Sequence, residues 1–205
     1  MKFKISKNYY TNCNLYDKST IEIKDGLTIF VGCNGSGKST LLKQIKDTLN
    51  DSNIPCLFYD YNTSGRENAK SNSLLNNQVE LFANLLMSSE GEELMQNLIS
   101  FAGKIGDFVR NNIKEHDELF ILLDGIDSGL SIDAMIDIKK FLFNNILKDA
   151  KTYNKKIYII ITSNQYEFVK DQECFDVASC KYIKFNTYDE YSDFIMKSRN
   201  KKENR

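Results

Sequence analysis

Residues Gly32-Cys33-Asn34-Gly35-Ser36-Gly37-Lys38-Ser39 sit between two patterned segments that leave few folds open. Before them, Leu27-Thr28-Ile29-Phe30-Val31 is nearly continuous in apolar side chains, the pattern of a strand buried on both faces of a sheet. After them, Leu41, Leu42, Ile45 and Leu49 recur at helical spacing. A glycine-rich turn from such a strand into a helix curls the backbone so that successive N–H groups point inward, and the helix N-terminus adds partial positive charge. The segment fits G-x-x-x-x-G-K-S/T, a loop that cradles the phosphates of a nucleoside triphosphate. Lys38 is placed to reach the β- and γ-phosphates, and the Ser39 hydroxyl to ligate Mg²⁺. The nucleotide-binding set is therefore Gly32, Asn34, Gly35, Ser36, Gly37, Lys38, Ser39 and Thr40, the last at the loop-to-helix junction.

Strand and helix patterns alternate through the rest of the chain. Phe3, Ile5, Ile21 and Ile23 alternate with polar residues, which predicts antiparallel strands before Asp25-Gly26. Further strands are expected at Cys56–Tyr59, Leu119–Leu123, Ile157–Thr162 and Lys181–Phe185. Helices are expected over Leu74–Leu86, from Ser89 to about Phe108, over Ile132–Leu147, over Asn164–Lys170, and after Thr187. This alternation predicts an α/β fold of the phosphate-loop (P-loop) NTPase class, with a mostly parallel sheet, N-terminal antiparallel strands and a small helical insertion. A chain of 205 residues suits one domain over 1–205, and folding buries roughly 70% of the chain's surface. Residues 61–117 are helical by pattern and form the inserted subdomain; residues 197–205 form a basic tail, read as a solvated, frayed end.

A phosphate-loop site needs an acidic residue at the end of a nearby strand to hold Mg²⁺. The apolar run Leu119-Phe120-Ile121-Leu122-Leu123 ends in Asp124, which takes that role beside Ser39. Gly32 to Thr40, together with Asp124 and the following Asp127-Ser128-Gly129-Leu130, resemble the ATP-binding cassette (ABC) superfamily, in its soluble branch of chromosome-maintenance and DNA-repair ATPases. The resemblance covers residues 3 to 165. It implies ATP and Mg²⁺ as cofactors and a homodimer with ATP at the interface. Ser88-Ser89-Glu90-Gly91-Glu92 stands where that family carries its signature, so Ser89 and Gly91 would face the ATP held by the other protomer. Glu90 departs from the pattern, since a Gly is usual there.

Two further departures concern hydrolysis. The family normally places Glu directly after the metal-side Asp as general base, and this chain has Gly125. It normally ends the next strand with a His that meets the γ-phosphate, and this chain has Ser163 or Asn164 there. One reading is a slow ATPase whose bound ATP acts as a dimerisation switch. In the other, Asp127 and Asn164 are the catalytic pair, with Asp127 supplying the carboxylate and Asn164 or Gln165 positioning water. Tyr9, Tyr10 or Tyr16 would stack on adenine, and Asn62 and Arg66 lie where a γ-phosphate sensor is expected.

Composition removes other classes. A single histidine, His116, excludes mechanisms built on two, and it lies in a polar segment before the Asp124 strand. Five cysteines without a C-x-x-C pair give no zinc spacing and read as reduced thiols of a cytoplasmic protein; Cys33 in the loop reads as incidental, although an exposed thiol there would make ATP binding sensitive to alkylation. No N-terminal apolar run or membrane-length segment is present, so no membrane insertion is expected. With 27 basic against 28 acidic residues the chain is not a globally basic nucleic-acid binder, although the tail could contact phosphate backbones. A protein partner and a nucleic-acid maintenance or defence-type setting follow from the resemblance alone. The competing readings are a transporter's ATP-binding subunit, which would carry the missing Glu, and a small-molecule kinase, which would need clustered arginines; the four present are Arg66, Arg110, Arg199 and Arg205.

Overall fold

The apolar runs become neighbouring strands of one sheet in the computed structural model, which describes residues 1–8, 14–60, 92–127 and 130–203, with side chains throughout these except at 92–100. In chain order the elements are β1 (Lys2–Lys4), β2 (Thr20–Glu22), β3 (Gly26–Val31), α1 (Lys38–Asp51), β4 (Cys56–Asp60), α2 (Glu92–Asn112) and β5 (Glu118–Asp124). They continue with α3 (Ile132–Asp137), a π-helical stretch (Ile138–Phe143), α4 (Asn144–Thr152), β6 (Lys156–Thr162), α5 (Tyr166–Val169), β7 (Glu173–Asp176), β8 (Lys181–Lys184) and α6 (Tyr188–Glu203). The main sheet runs β4-β5-β6-β3-β7-β8, parallel throughout except for the edge strand β8. β1 and β2 form a separate antiparallel pair with Phe3 opposite Ile21.

The sheet is covered on both sides, and the pleat sorts its side chains. Phe30, Phe120, Leu122, Tyr158 and Ile160 face a layer made by α1 and the β1–β2 pair, where Leu41, Leu42, Ile45 and Leu49 dock. Their neighbours Ile29, Val31, Leu119, Ile121, Leu123, Ile157, Ile159 and Ile161 face the opposite layer, with Phe101, Ile105 and Val109 of α2, Met135, Ile138, Phe143 and Ile146 of the α3–α4 run, and Tyr191 of α6. Two-sided burial explains why these strands read as continuous apolar runs rather than alternating ones. Parallel pairing also gathers the carboxyl ends of β3, β5 and β6 along one edge of the sheet. β6 lies between the other two, with Phe30 in register with Thr162 and Leu123 with Ile161.

Four differences from the sequence reading have physical causes. The helix expected over 132–147 is interrupted by π-helical turns, whose wider winding helps bring Ile138 and Phe143, five apart, into one buried layer. β7 was not expected: Cys174 and Phe175 are both fully buried, but Glu173 and Asp176 at either end hide so short a strand. The C-terminal residues expected to fray instead continue α6 to Glu203. In the region assigned to a helical insertion, the described part of α2 packs against the main sheet. The helix expected over Leu74–Leu86, and Tyr9, Tyr10, Asn62, Arg66, Ser88, Ser89, Glu90 and Gly91, lie outside the described residues. No helix among those described is long and apolar enough to cross a membrane.

Ile159 is fully buried in the middle of the sheet, whereas Ile132 is 59% exposed at the start of α3. Ile159→Ala is expected to cost about 2–5 kcal/mol in chemical denaturation, and Ile132→Ala less than about 0.5 kcal/mol.

Candidate functional site

The loop from Gly32 to Gly37 joins β3 to α1, and the first residue of α1 is Lys38. Its side chain folds back beneath the loop instead of reaching solvent. Lys38 Nζ donates to Gly32 O at 2.7 Å, to Cys33 O at 3.2 Å and to Asn164 Oδ1 at 2.8 Å. Burial pushes the Lys38 ammonium below its ordinary pKa, and the nearby Asp127 and Asp124 carboxylates pull it part of the way back. An incoming phosphate would supply the negative charge that this buried cation lacks.

Ser39 and Asp124 are brought together. Ser39 Oγ donates to Asp124 Oδ1 at 2.9 Å, at the carboxyl end of β5. The same carboxylate oxygen accepts a 2.6 Å hydrogen bond from Thr162 Oγ1, and Thr162 in turn accepts the Gly125 N–H at 2.8 Å. Thr162 was missed in the sequence because a β-branched residue closing an apolar strand reads as an ordinary strand former. Its signal was being the only polar residue in Ile157–Thr162 apart from Tyr158. Gly125 has φ +65, a left-handed conformation that a side chain at this position would strain. Gly125 is thus built into the turn.

Asp127 and Asn164 are also brought together. Asp127 Oδ2 accepts the Asn164 backbone N–H at 2.7 Å and the Ser163 hydroxyl at 3.1 Å. Asn164 then uses both ends of its amide, accepting from Lys38 and donating from Nδ2 to Asn34 Oδ1 at 3.0 Å. Asp127 therefore sets the turn that aims Asn164 at Lys38 and the loop.

Leu15, Asn34, Gly35, Gly37, Lys38, Ser39, Thr40, Asp124, Gly125, Asp127, Thr162, Ser163 and Asn164 line one cavity of about 360 Å³. No side chain caps α1, so the N–H groups of its first turn are left for a ligand. That uncapped terminus and the buried ammonium fit a polyphosphate. The Ser39 hydroxyl with the Asp124 carboxylate is an oxygen donor set suited to Mg²⁺. Ser36 contributes differently from its neighbours: its N–H donates to Cys33 O, and its hydroxyl is buried with no partner among the described residues.

Other sequence candidates lie elsewhere. Tyr16 is buried under the loop, its hydroxyl donating to Gly37 O at 2.8 Å, so it supports the loop and is not placed to stack on a base. His116 precedes the amino end of β5, at the other edge of the sheet from the site. Cys33 is buried at 5% exposure, in keeping with an incidental thiol and not an exposed, alkylation-sensitive one. Burial also pushes Cys56 and Cys174 up to about 12, which leaves them unreactive.

A family model for the AAA domain matches residues 22–167, from β2 through the loop, Asp124 and Asn164. The chain belongs to this AAA-domain family of P-loop NTPases. The match does not support the narrower ABC resemblance. The glycine-rich loop and the apolar strand ending in Asp are common to phosphate-loop ATPases, and most of the segment that would separate the branches, Ser88–Glu92, lies outside the described residues. Among solved structures, the AAA domain is similar to a DNA replication initiation factor at 18% identity, covering 69% of this chain and 32% of that one, with a TM-score of 0.35. It is also similar to Stu0660 of Streptococcus thermophilus at 15% identity, covering 96% of this chain and 80% of that one, with a TM-score of 0.44. The chain thus spans about a third of the replication initiation factor. No curated protein matches the chain.

Thr162→Val keeps the shape of the side chain and removes the hydroxyl that joins Gly125 to Asp124. It should destabilise the AAA domain by about 1–3 kcal/mol in urea denaturation, because the buried Asp124 carboxylate and the half-buried Gly125 N–H each lose a partner.

Proposed function

We propose that this AAA domain binds ATP with Mg²⁺ at the carboxyl ends of β3, β5 and β6, and that binding, more than rapid turnover, is its output. The observation that carries this reading is the Lys38 ammonium, which lines the cavity at an uncapped helix N-terminus and is held by two loop carbonyls and the Asn164 amide oxygen. The loop N–H groups and Lys38 would hold the phosphates, and Ser39 with Asp124 would hold Mg²⁺. When bound, the metal supplies charge neutralisation on the phosphate oxygens.

Slow turnover is supported by Gly125 and by the way Asp127 is used. No carboxylate directly follows Asp124, and Asp127 Oδ2 already takes two hydrogen bonds from the Ser163–Asn164 turn. Loss of a positioned base costs about 10²- to 10⁴-fold in rate. In its finer form the reading has two copies closing on Mg-ATP, with Ser89 and Gly91 of one facing the nucleotide of the other. A protein or nucleic-acid partner would then act on the closed pair.

Equilibrium titration with Mg-ATP should show saturable binding that weakens about 10- to 100-fold in Lys38→Ala, the range for losing a charge-assisted contact. Absence of binding by the unaltered protein would overturn the reading. Steady-state turnover is expected well below about one per second, the low end for ordinary enzymes. Turnover at or above that rate, abolished by Asp127→Ala, would instead make Asp127 the base. Light scattering with and without Mg-ATP reads the assembly: doubling of mass supports the closed pair, and a monomer in both states removes it.

A further inference from the structure

The C-terminal helix crosses the phosphate loop, and its contacts follow one face. Tyr191, Phe194 and Ile195 pack on the core beside the sheet. One and two turns further along the same stripe come Ser198, Lys201 and Lys202, the helical continuation of that face. Here the stripe turns polar and meets the loop. Ser198 Oγ accepts the Cys33 N–H at 3.2 Å, and Lys202 Nζ donates to Asn34 O at 3.0 Å. Lys201 Nζ pairs with Asp17 at 3.0 Å, next to Tyr16, whose hydroxyl holds Gly37 O from below. Gly35 leaves room for this approach: a Cβ there would lie 2.6 Å from Lys202 Nζ, and φ is +75.

These contacts fix the orientation of two peptide planes. In a trans peptide the C=O and the following N–H point in opposite directions. With the Cys33 N–H held outward by Ser198, the Gly32 carbonyl of the same peptide is turned inward, where it accepts Lys38 Nζ at 2.7 Å. With the Asn34 carbonyl held by Lys202, the Gly35 N–H of that peptide is turned the other way, and Gly35 lines the cavity. Asn34 also ties in from its side chain, accepting from Asn164, which accepts from Lys38. Helix, loop and Lys38 are therefore linked by one chain of hydrogen bonds.

We propose that α6 is a clamp on the phosphate loop, in which Ser198 and Lys202 are positioning residues for nucleotide binding. They touch no phosphate; they set the Gly32 carbonyl that seats Lys38 and the Gly35 N–H that faces the cavity. By reciprocity, nucleotide binding tightens the docking of α6 by the same factor that docking tightens nucleotide binding. The inference rests on the ATP-binding reading for its consequence, but the clamp itself exists without nucleotide.

The test compares the unaltered chain with Ser198→Ala, Lys202→Ala, Lys202→Arg and Lys197→Ala. Lys197 is exposed and one turn away, so its variant removes the same charge without touching the loop. Ser198→Ala and Lys202→Ala should each weaken Mg-ATP binding about 5-fold or more. Lys202→Arg, which keeps a donor for the Asn34 carbonyl, should restore most of it, and Lys197→Ala should leave it unchanged. Equal losses in Lys197→Ala and Lys202→Ala, or unaltered affinity in both Ser198→Ala and Lys202→Ala, would overturn the clamp while the ATP reading stands. Should the unaltered chain bind no ATP, that reading fails separately, and amide hydrogen exchange of the nucleotide-free protein decides the clamp. The Cys33 amide should exchange faster in Ser198→Ala, and unchanged exchange overturns it.

Discussion

A lysine ammonium buried at the carboxyl edge of a sheet is costly unless several acceptors converge on it. Lys38 is held in that way by two loop carbonyls and the Asn164 amide oxygen. Each of these acceptors depends on a different element. The carbonyls need the glycine-rich turn out of β3, and Asn164 needs β6 directly beside β3 with Asp127 pinning its turn. The order of strands is thus what allows one cation to be satisfied without a bound partner, and what leaves it ready for an anionic one.

The second half of the site is organised around one carboxylate oxygen. Asp124 Oδ1 accepts from Ser39 on α1 and from Thr162 on β6, so the helix that follows the loop, the acidic strand β5 and its neighbour β6 are cross-linked at one carboxylate. Gly125 belongs to this arrangement as much as Asp124 does. Its N–H completes the Thr162 hydroxyl and its left-handed backbone turns the chain towards Asp127. The feature that reads as a missing base in the sequence is, in the fold, a tight turn with its own hydrogen bond.

The sheet was legible because burial on both faces writes apolar runs into β3, β5 and β6, and the loop was legible because its spacing is tied to phosphate geometry. Ser39 and Asp124, singled out by the same spacing logic, meet in a hydrogen bond. What the sequence hid was long-range. Thr162 lies 38 residues from Asp124 and becomes a partner only through strand register. The α6 stripe was concealed because Lys197–Arg205 is so polar that composition suggests a solvated end, while Ser198 and Lys202 act through single hydrogen bonds that leave no hydrophobic signal. The ABC resemblance failed to sharpen into membership because it leaned on motifs that phosphate-loop ATPases share.

A polyphosphate cradle would hold its ligand through the phosphates, with the base and sugar secondary. Competition against Mg-ATP by inorganic triphosphate and by adenosine tests that most directly. Inorganic triphosphate should displace ATP from the unaltered protein, its binding should weaken sharply in Lys38→Ala, and adenosine should compete poorly. Displacement by adenosine with no effect of inorganic triphosphate would contradict the account.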